Sequence, residues 1–283
     1  MDPSRRALLQ ALAAVGAGAA TGCTPVYSAS RLGPATPPQV LGPFHPHGAT
    51  LATCYPPTPN NDLATVAGQA PAEGLRLYLR GTLRDGEASV PGATVEIWQT
   101  CHRGRYAHPD DEYGRRIPRD PGFQYYGTCT TDADGRYLFR SVMPRRYPAG
   151  FPGDRAWWRP PHVHFRVRVD GERRLTTQVY FRDPSDLENS WNHVAAQDAD
   201  RLLAGLPEDR RDELICELAE ATADDELAAA LVADPMPTDG DDGPWGVARS
   251  GVFDLRIDRP SAGEILYPEV PAGHPRSSGR KTC

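Results

Sequence analysis

Twenty-nine prolines and 27 glycines are spread through the 283 residues, and this density of chain breakers most restricts the fold. Proline removes a backbone donor and fixes φ, while glycine costs backbone entropy inside a helix or strand, so long helices cannot dominate. Short elements punctuated by turns remain, which is the pattern of a β-rich core. Period-two alternation marks the strands. Leu75, Leu77 and Leu79 alternate with Arg76, Tyr78 and Arg80, and Ala93, Val95 and Ile97 alternate with Thr94, Glu96 and Trp98. Segments 136–140, 162–169, 173–181 and 252–258 repeat the pattern, one face of each suited to a core. Short strands separated by turn clusters predict a mainly β fold, an antiparallel β-sandwich.

Residues 198–232 depart from that rule. Leu202, Leu203, Leu206, then Leu214, Ile215 and Leu218, then Leu227 and Leu231 fall at helical spacing among charges. Pro207 suits the first turn of a second helix. The expectation is a helical insert before the last strand, packed on one edge of the sandwich as a cap or an oligomer contact. Residues 41–74, rich in Pro, Asn and Gly, read as irregular structure wrapping a core. The acidic segment 238–244 reads as a solvated loop.

Arg5-Arg6, a mild apolar stretch to Ala20 and Cys23 after Ala20-Thr21-Gly22 read as an export signal over 1–23, of twin-arginine and lipoprotein type. That places the chain in the periplasm, on the cell envelope or outside a bacterial cell, with a membrane tether through a lipid on Cys23. Residues 24–40 read as a linker, 41–270 as the folded domain and 271–283 as a C-terminal tail. No long apolar run follows residue 22, so no membrane span is expected. A formal net charge of −6 argues against a nucleic-acid partner. The six cysteines form no CxxC pair, which argues against a zinc knuckle. Export would permit disulfides among Cys54, Cys101, Cys129, Cys216 and Cys283, but their spacing does not pair them.

His162-Val163-His164 is the sharpest local feature. Residues two apart on a strand share a face, so both imidazoles can reach one metal, while Val163, Phe165, Val167 and Val169 face the opposite, apolar side. A histidine pair alone leaves the metal open, copper included, and a secreted β-sandwich that only binds carbohydrate or protein would show the same strands.

The surrounding residues narrow this. Trp158-Arg159-Pro160-Pro161-His162-Val163-His164-Phe165 resembles the WRPxHxHF segment of the intradiol ring-cleaving dioxygenases. PGATVEIWQ (91–99), GRYAH (104–108), DPGFQYYG (120–127), TDADGRYLFRS (131–141), PRRYP (144–148) and LTTQVYF (175–181) follow in the family's order and spacing. GRYAH and DPGF resemble the protocatechuate 3,4-dioxygenase branch, its β-subunit above all, more than the catechol 1,2-dioxygenases.

The resemblance implies an intradiol-dioxygenase-like sandwich holding non-haem Fe(III) through Tyr106, Tyr147, His162 and His164. Phenolates and imidazoles are hard-to-borderline donors with no soft thiolate, a set suited to ferric iron. It further implies that Tyr147 leaves as a catechol binds and takes one of its protons. Arg159 is expected to stabilise charge developing on the ring, and Gln178 to line the same pocket. The implied reaction inserts both atoms of O2 into a protocatechuate-like diol and cleaves between the hydroxylated carbons to a cis,cis-muconate. His108, Tyr125 and Tyr126 are further candidates for the pocket wall. Two departures bear on substrate: Ala149 stands where the family carries Trp, and Arg145-Arg146 precede Tyr147 where Gly-Pro is usual. Homo-oligomerisation is left open.

Overall fold

The computed structural model describes residues 34–149, 157–182, 201–221 and 248–258. The expected export signal, the first part of the linker, residues 198–200 and 222–232 of the expected insert, the expected acidic loop 238–244 and the tail, with Cys23 and Cys283, lie outside the described residues.

The fold is mainly β. Twelve strands are described: β1 (Arg76–Asp85), β2 (Ala88–Ser89), β3 (Thr94–Trp98), β4 (Tyr126–Thr130), β5 (Arg136–Val142), β6 (Tyr147–Ala149), β7 (Trp157–Arg159), β8 (His162–Val169), β9 (Glu172–Arg182), β10 (Ile215–Glu220), β11 (Arg249–Val252) and β12 (Leu255–Ile257). Ten form one sheet in the order β12-β1-β11-β10-β9-β8-β3-β4, with β2 and β5 also on β1, while β6 and β7 make a separate hairpin. The large sheet folds over on itself. Leu77, Leu79 and Leu83 of β1 and Tyr137 and Phe139 of β5 share one core with Val95, Ile97, Val163, Phe165, Val167 and Val179 from β3, β8 and β9. The Phe165 ring lies 5.9 Å from Tyr137 and 5.4 Å from Phe253, which joins the layers. The outer side of β1 is also covered, since Tyr78 packs with Leu138 and Ala248 in a second cluster.

Three expectations need correction. The sheet is mixed, because β11 and β12 run parallel to β1 and β10 runs parallel to β9. Within the described part of the expected helical segment, the helices are α2 (Arg201–Ala204) and α3 (Glu208–Arg211), the latter preceded by Pro207 at its N-cap position, and a 3-10 turn over Asp212–Leu214. Leu214, Ile215 and Leu218 then lead into and join β10, whose buried side is Cys216 and Leu218. Leu214, Cys216 and Leu218 also satisfy a period of two, and pairing with β9 and β11 decides between the readings. Finally, residues 34–40 are no loose linker. Thr36 N–H donates to Arg256 O at 3.0 Å and Gln39 N–H to Thr176 O at 2.9 Å, and Thr36 and Gln39 are buried.

The short helix α1 (Gly48–Cys54) continues this N-terminal strap. Cys54 is disulfide-bonded, whereas Cys101, Cys129 and Cys216 are free. No described helix is long and apolar enough to cross a membrane.

Candidate metal centre

Strand alternation on β8 sends Val163, Phe165 and Val167 into the core and leaves His162 and His164 on the other face. Both histidines are nonetheless only 2% exposed, because other segments cover that face. Register fixes their neighbours: β9 sets Tyr180 opposite His162 and Gln178 opposite His164, and β3 sets Trp98 opposite His164. The Trp98 indole stacks on the His164 imidazole, centroids 4.8 Å apart and planes 8° apart.

The two tyrosines arrive from different directions. Tyr147 begins β6, and the β6–β7 register places it directly opposite Arg159. Tyr106 lies in the loop after β3 and is held by Asp111, whose carboxylate accepts from Tyr106 N–H at 2.7 Å and from Gly114 N–H at 2.8 Å. The side chains meet. Tyr106 Oη lies 3.4 Å from His162 Nε2, and the Tyr106 and Tyr147 rings meet edge to face. Ring centroids are 5.2 Å apart for Tyr106 and Tyr147, 5.6 Å for Tyr147 and His162, and 5.0 Å for the two histidines. Residues separated by 58 positions of sequence, from Tyr106 to His164, thus face one small volume.

Arg159, buried at 3% exposure, borders it. Nη1 donates to His162 Nε2 at 3.0 Å, and Nη2 donates to Gln178 Oε1 at 2.7 Å and Tyr180 Oη at 2.8 Å. His162 Nδ1 faces the Pro160 carbonyl at 2.7 Å, so the ring proton sits on Nδ1 and Nε2 carries the lone pair, which accepts from Arg159 here and which a metal would take over. A metal-ligating imidazole needs this tautomer.

Electrostatics agree with a cation between these groups. Burial, then the Arg159 charge, holds His162 well below its usual value, and burial with His162 and Arg159 does the same to His164. Both imidazoles are therefore neutral near pH 7, the form in which a histidine ligates a metal. Burial, then the neighbouring Tyr147, pushes the Tyr106 phenol well above its usual value, so without a cation it stays protonated. A trivalent ion would reverse that cost. No three His, Cys, Asp or Glu side chains converge on a metal site among the described residues, so a metal here requires the phenols. The donor set fits ferric iron.

Other expected pocket residues are placed elsewhere. The Tyr125 hydroxyl accepts from Asp120 N–H and its ring packs on Phe123. Tyr126 packs on Tyr55. His108 is closer, with its ring 6.0 Å from Phe44. Sequence reasoning missed the strap. Phe44 lies 4.8 Å from the Tyr106 ring and 6.0 Å from Tyr147, the Val40 carbonyl accepts from Gln178 Nε2 at 2.8 Å, and Gly42 lies against His164. The only signal was the proline-rich wrapping character of GPFHPHG.

A family model described as Dioxygenase matches residues 53–234. The protocatechuate 3,4-dioxygenase beta chain of Burkholderia cepacia is 36% identical over 154 residues, covering 54% of this chain and 60% of that protein. A chlorocatechol 1,2-dioxygenase of Pseudomonas sp. (strain P51) is 37% identical over 115 residues, 37% of this chain and 43% of that one. The chain thus spans 60% or less of the length of these relatives. Among solved structures, hydroxyquinol 1,2-dioxygenase from Pseudomonas putida superposes with a TM-score of 0.53 at 22% identity, over 79% of this chain and 66% of that chain, a likeness of fold.

Proposed function

The chain belongs to the intradiol ring-cleaving dioxygenase family, and from that premise we propose that it is a non-haem iron(III) enzyme that opens catechol-type rings between the hydroxylated carbons. The approach of the Tyr106, Tyr147, His162 and His164 rings to one another carries the reading. When bound, ferric iron supplies a Lewis acid and a two-point template for the diol, which O2 then attacks with both atoms entering the product, a cis,cis-muconate.

The chain's own residues do the rest. Tyr147 Oη accepts one proton of the incoming diol, since Tyr147 sits on a two-stranded hairpin that can give way more readily than the β8 histidines. Tyr106, pinned through Asp111, stays in place. Arg159 holds a fixed positive charge beside His162 and stabilises negative charge that builds on the ring. Phe44 and Trp98 wall the site and keep water from competing.

A protocatechuate-like substrate, bearing a ring carboxylate, is favoured by the GRYAH and DPGF segments. Residues 1–23 support export and a lipid on Cys23, which Cys23→Ser with fractionation of cells would test. Oxygen uptake across a panel of catechols, with products identified by mass, tests the activity: uptake yielding muconates supports it, and no uptake with iron-loaded protein on any catechol removes it.

A further inference from the structure

The site is organised around where the Arg159 guanidinium points, and the structure shows what aims it. Nη2 is held by two acceptors, Gln178 Oε1 and Tyr180 Oη, at 2.7 and 2.8 Å. The Tyr180 hydroxyl, having accepted from Arg159, donates onward to Gln178 Oε1 at 3.3 Å. Gln178 and Tyr180 are completely buried, where a hydrogen bond is electrostatically stronger than in water and a lost partner is not replaced by solvent.

The orientation of the Gln178 amide decides whether this works. Reversed, it would set an N–H against the guanidinium and a carbonyl against a carbonyl. The Val40 carbonyl, 2.8 Å from Gln178 Nε2, selects the productive orientation. Val40 is itself fixed, because its strap is tied on one side by Thr36 N–H to Arg256 O and Arg256 N–H to Thr36 Oγ1, and on the other by Gln39 N–H to Thr176 O and Thr177 Oγ1 to Pro37 O. With Nη2 held, Nη1 is left facing His162 Nε2 at 3.0 Å.

We propose that Tyr180, together with the Val40 carbonyl acting through Gln178, is a positioning device that aims Arg159 at the reacting centre. Gln178 on this view positions rather than contacts substrate. The N-terminal strap, whose composition resembles a linker, is then part of the site. The inference rests on the dioxygenase reading for its consequence in turnover, but the positioning is readable without it.

Two measurements test it. In the metal-free chain with 15N-labelled arginine, the Arg159 side-chain Nη signals should be separate and protected from exchange, and they should merge in Tyr180→Phe. In the iron-loaded enzyme, Tyr180→Phe should keep its iron and a KM within about twofold, while kcat falls about tenfold, the usual scale for losing one bond to a charged group. On an Arg159→Ala background the same substitution should cost nothing further, because its only route is through that arginine. If Tyr180→Phe does not fold, Gln178→Met serves for the same readouts. Unchanged Nη signals with unchanged kcat, or a full further loss on the Arg159→Ala background, would overturn the proposal. A wild-type chain inactive on every catechol would instead remove the dioxygenase reading, leaving the Nη signals to decide the positioning.

Discussion

His45 offers a test of the site's packing that needs no turnover. Its ring lies edge-on to Trp98 at 4.7 Å, and its Nε2 is buried without a hydrogen-bond partner among the described residues. Burial first, then the charges of Arg166, His47, Arg168 and His108, lower its pKa from 6.5 to about 3. The folded chain keeps this ring neutral while the unfolded chain takes a proton below about 6.5, so between these values the unfolded state binds more protons and stability rises with pH. The contribution is fully present above 6.5 and is lost as pH falls, at about 1.4 kcal/mol per pH unit. Near pH 5 the loss amounts to about 2 kcal/mol relative to about pH 8. Urea unfolding of metal-free protein at both pH values measures it. His162 and His164 shift in the same sense, so the comparison is with His45→Gln, which should lose about 2 kcal/mol less on acidification than the wild type. Equal losses in both proteins would refute the claim that His45 is held neutral by burial in the stack.

Three further substitutions probe the site. Arg159→Ala should keep iron and catechol binding, yet lose about 10²–10³-fold in kcat, as expected for removing one fixed charge that acts on the transition state; stopped-flow spectra separate the two steps. Gly42 has φ +75° and a Cβ there would lie 3.0 Å from His164 Cε1, so Gly42→Ala should cost about 1 kcal/mol of stability and weaken metal binding, read from Tm and a metal titration. Asp111→Ala strands two backbone N–H groups and frees the Tyr106 loop, so it should destabilise by about 3 kcal/mol in denaturant unfolding.

What was legible in the sequence was local. The alternation of His162 to Val169 gave both a strand and its two faces, and the histidine pair needed nothing more than a period of two. Tyr106, Tyr147 and Arg159 could be named only by resemblance, since no local pattern says that Tyr147 pairs across a hairpin with Arg159 or that Asp111 pins the Tyr106 loop. The 214–218 stretch fits periods of both 3.6 and 2, and only its strand partners choose. Tyr125 and Tyr126 were candidates for the pocket wall, but Tyr125 adopts φ +63° and the two rings leave toward other partners. The strap was hidden because its links to β9 and β12 are hydrogen bonds, most of them through the backbone, across more than a hundred residues, which composition does not report.

The most direct test of the centre is the visible and resonance Raman spectrum of the iron-loaded chain beside those of Tyr106→Phe and Tyr147→Phe. A ferric ion held by Tyr106, Tyr147, His162 and His164 gives a reddish protein with phenolate-to-iron charge transfer and tyrosinate vibrations, and each substitution removes part of that signal while keeping the ring volume. A colourless ferric protein, or one whose spectrum neither substitution changes, would contradict the two-histidine, two-tyrosine centre.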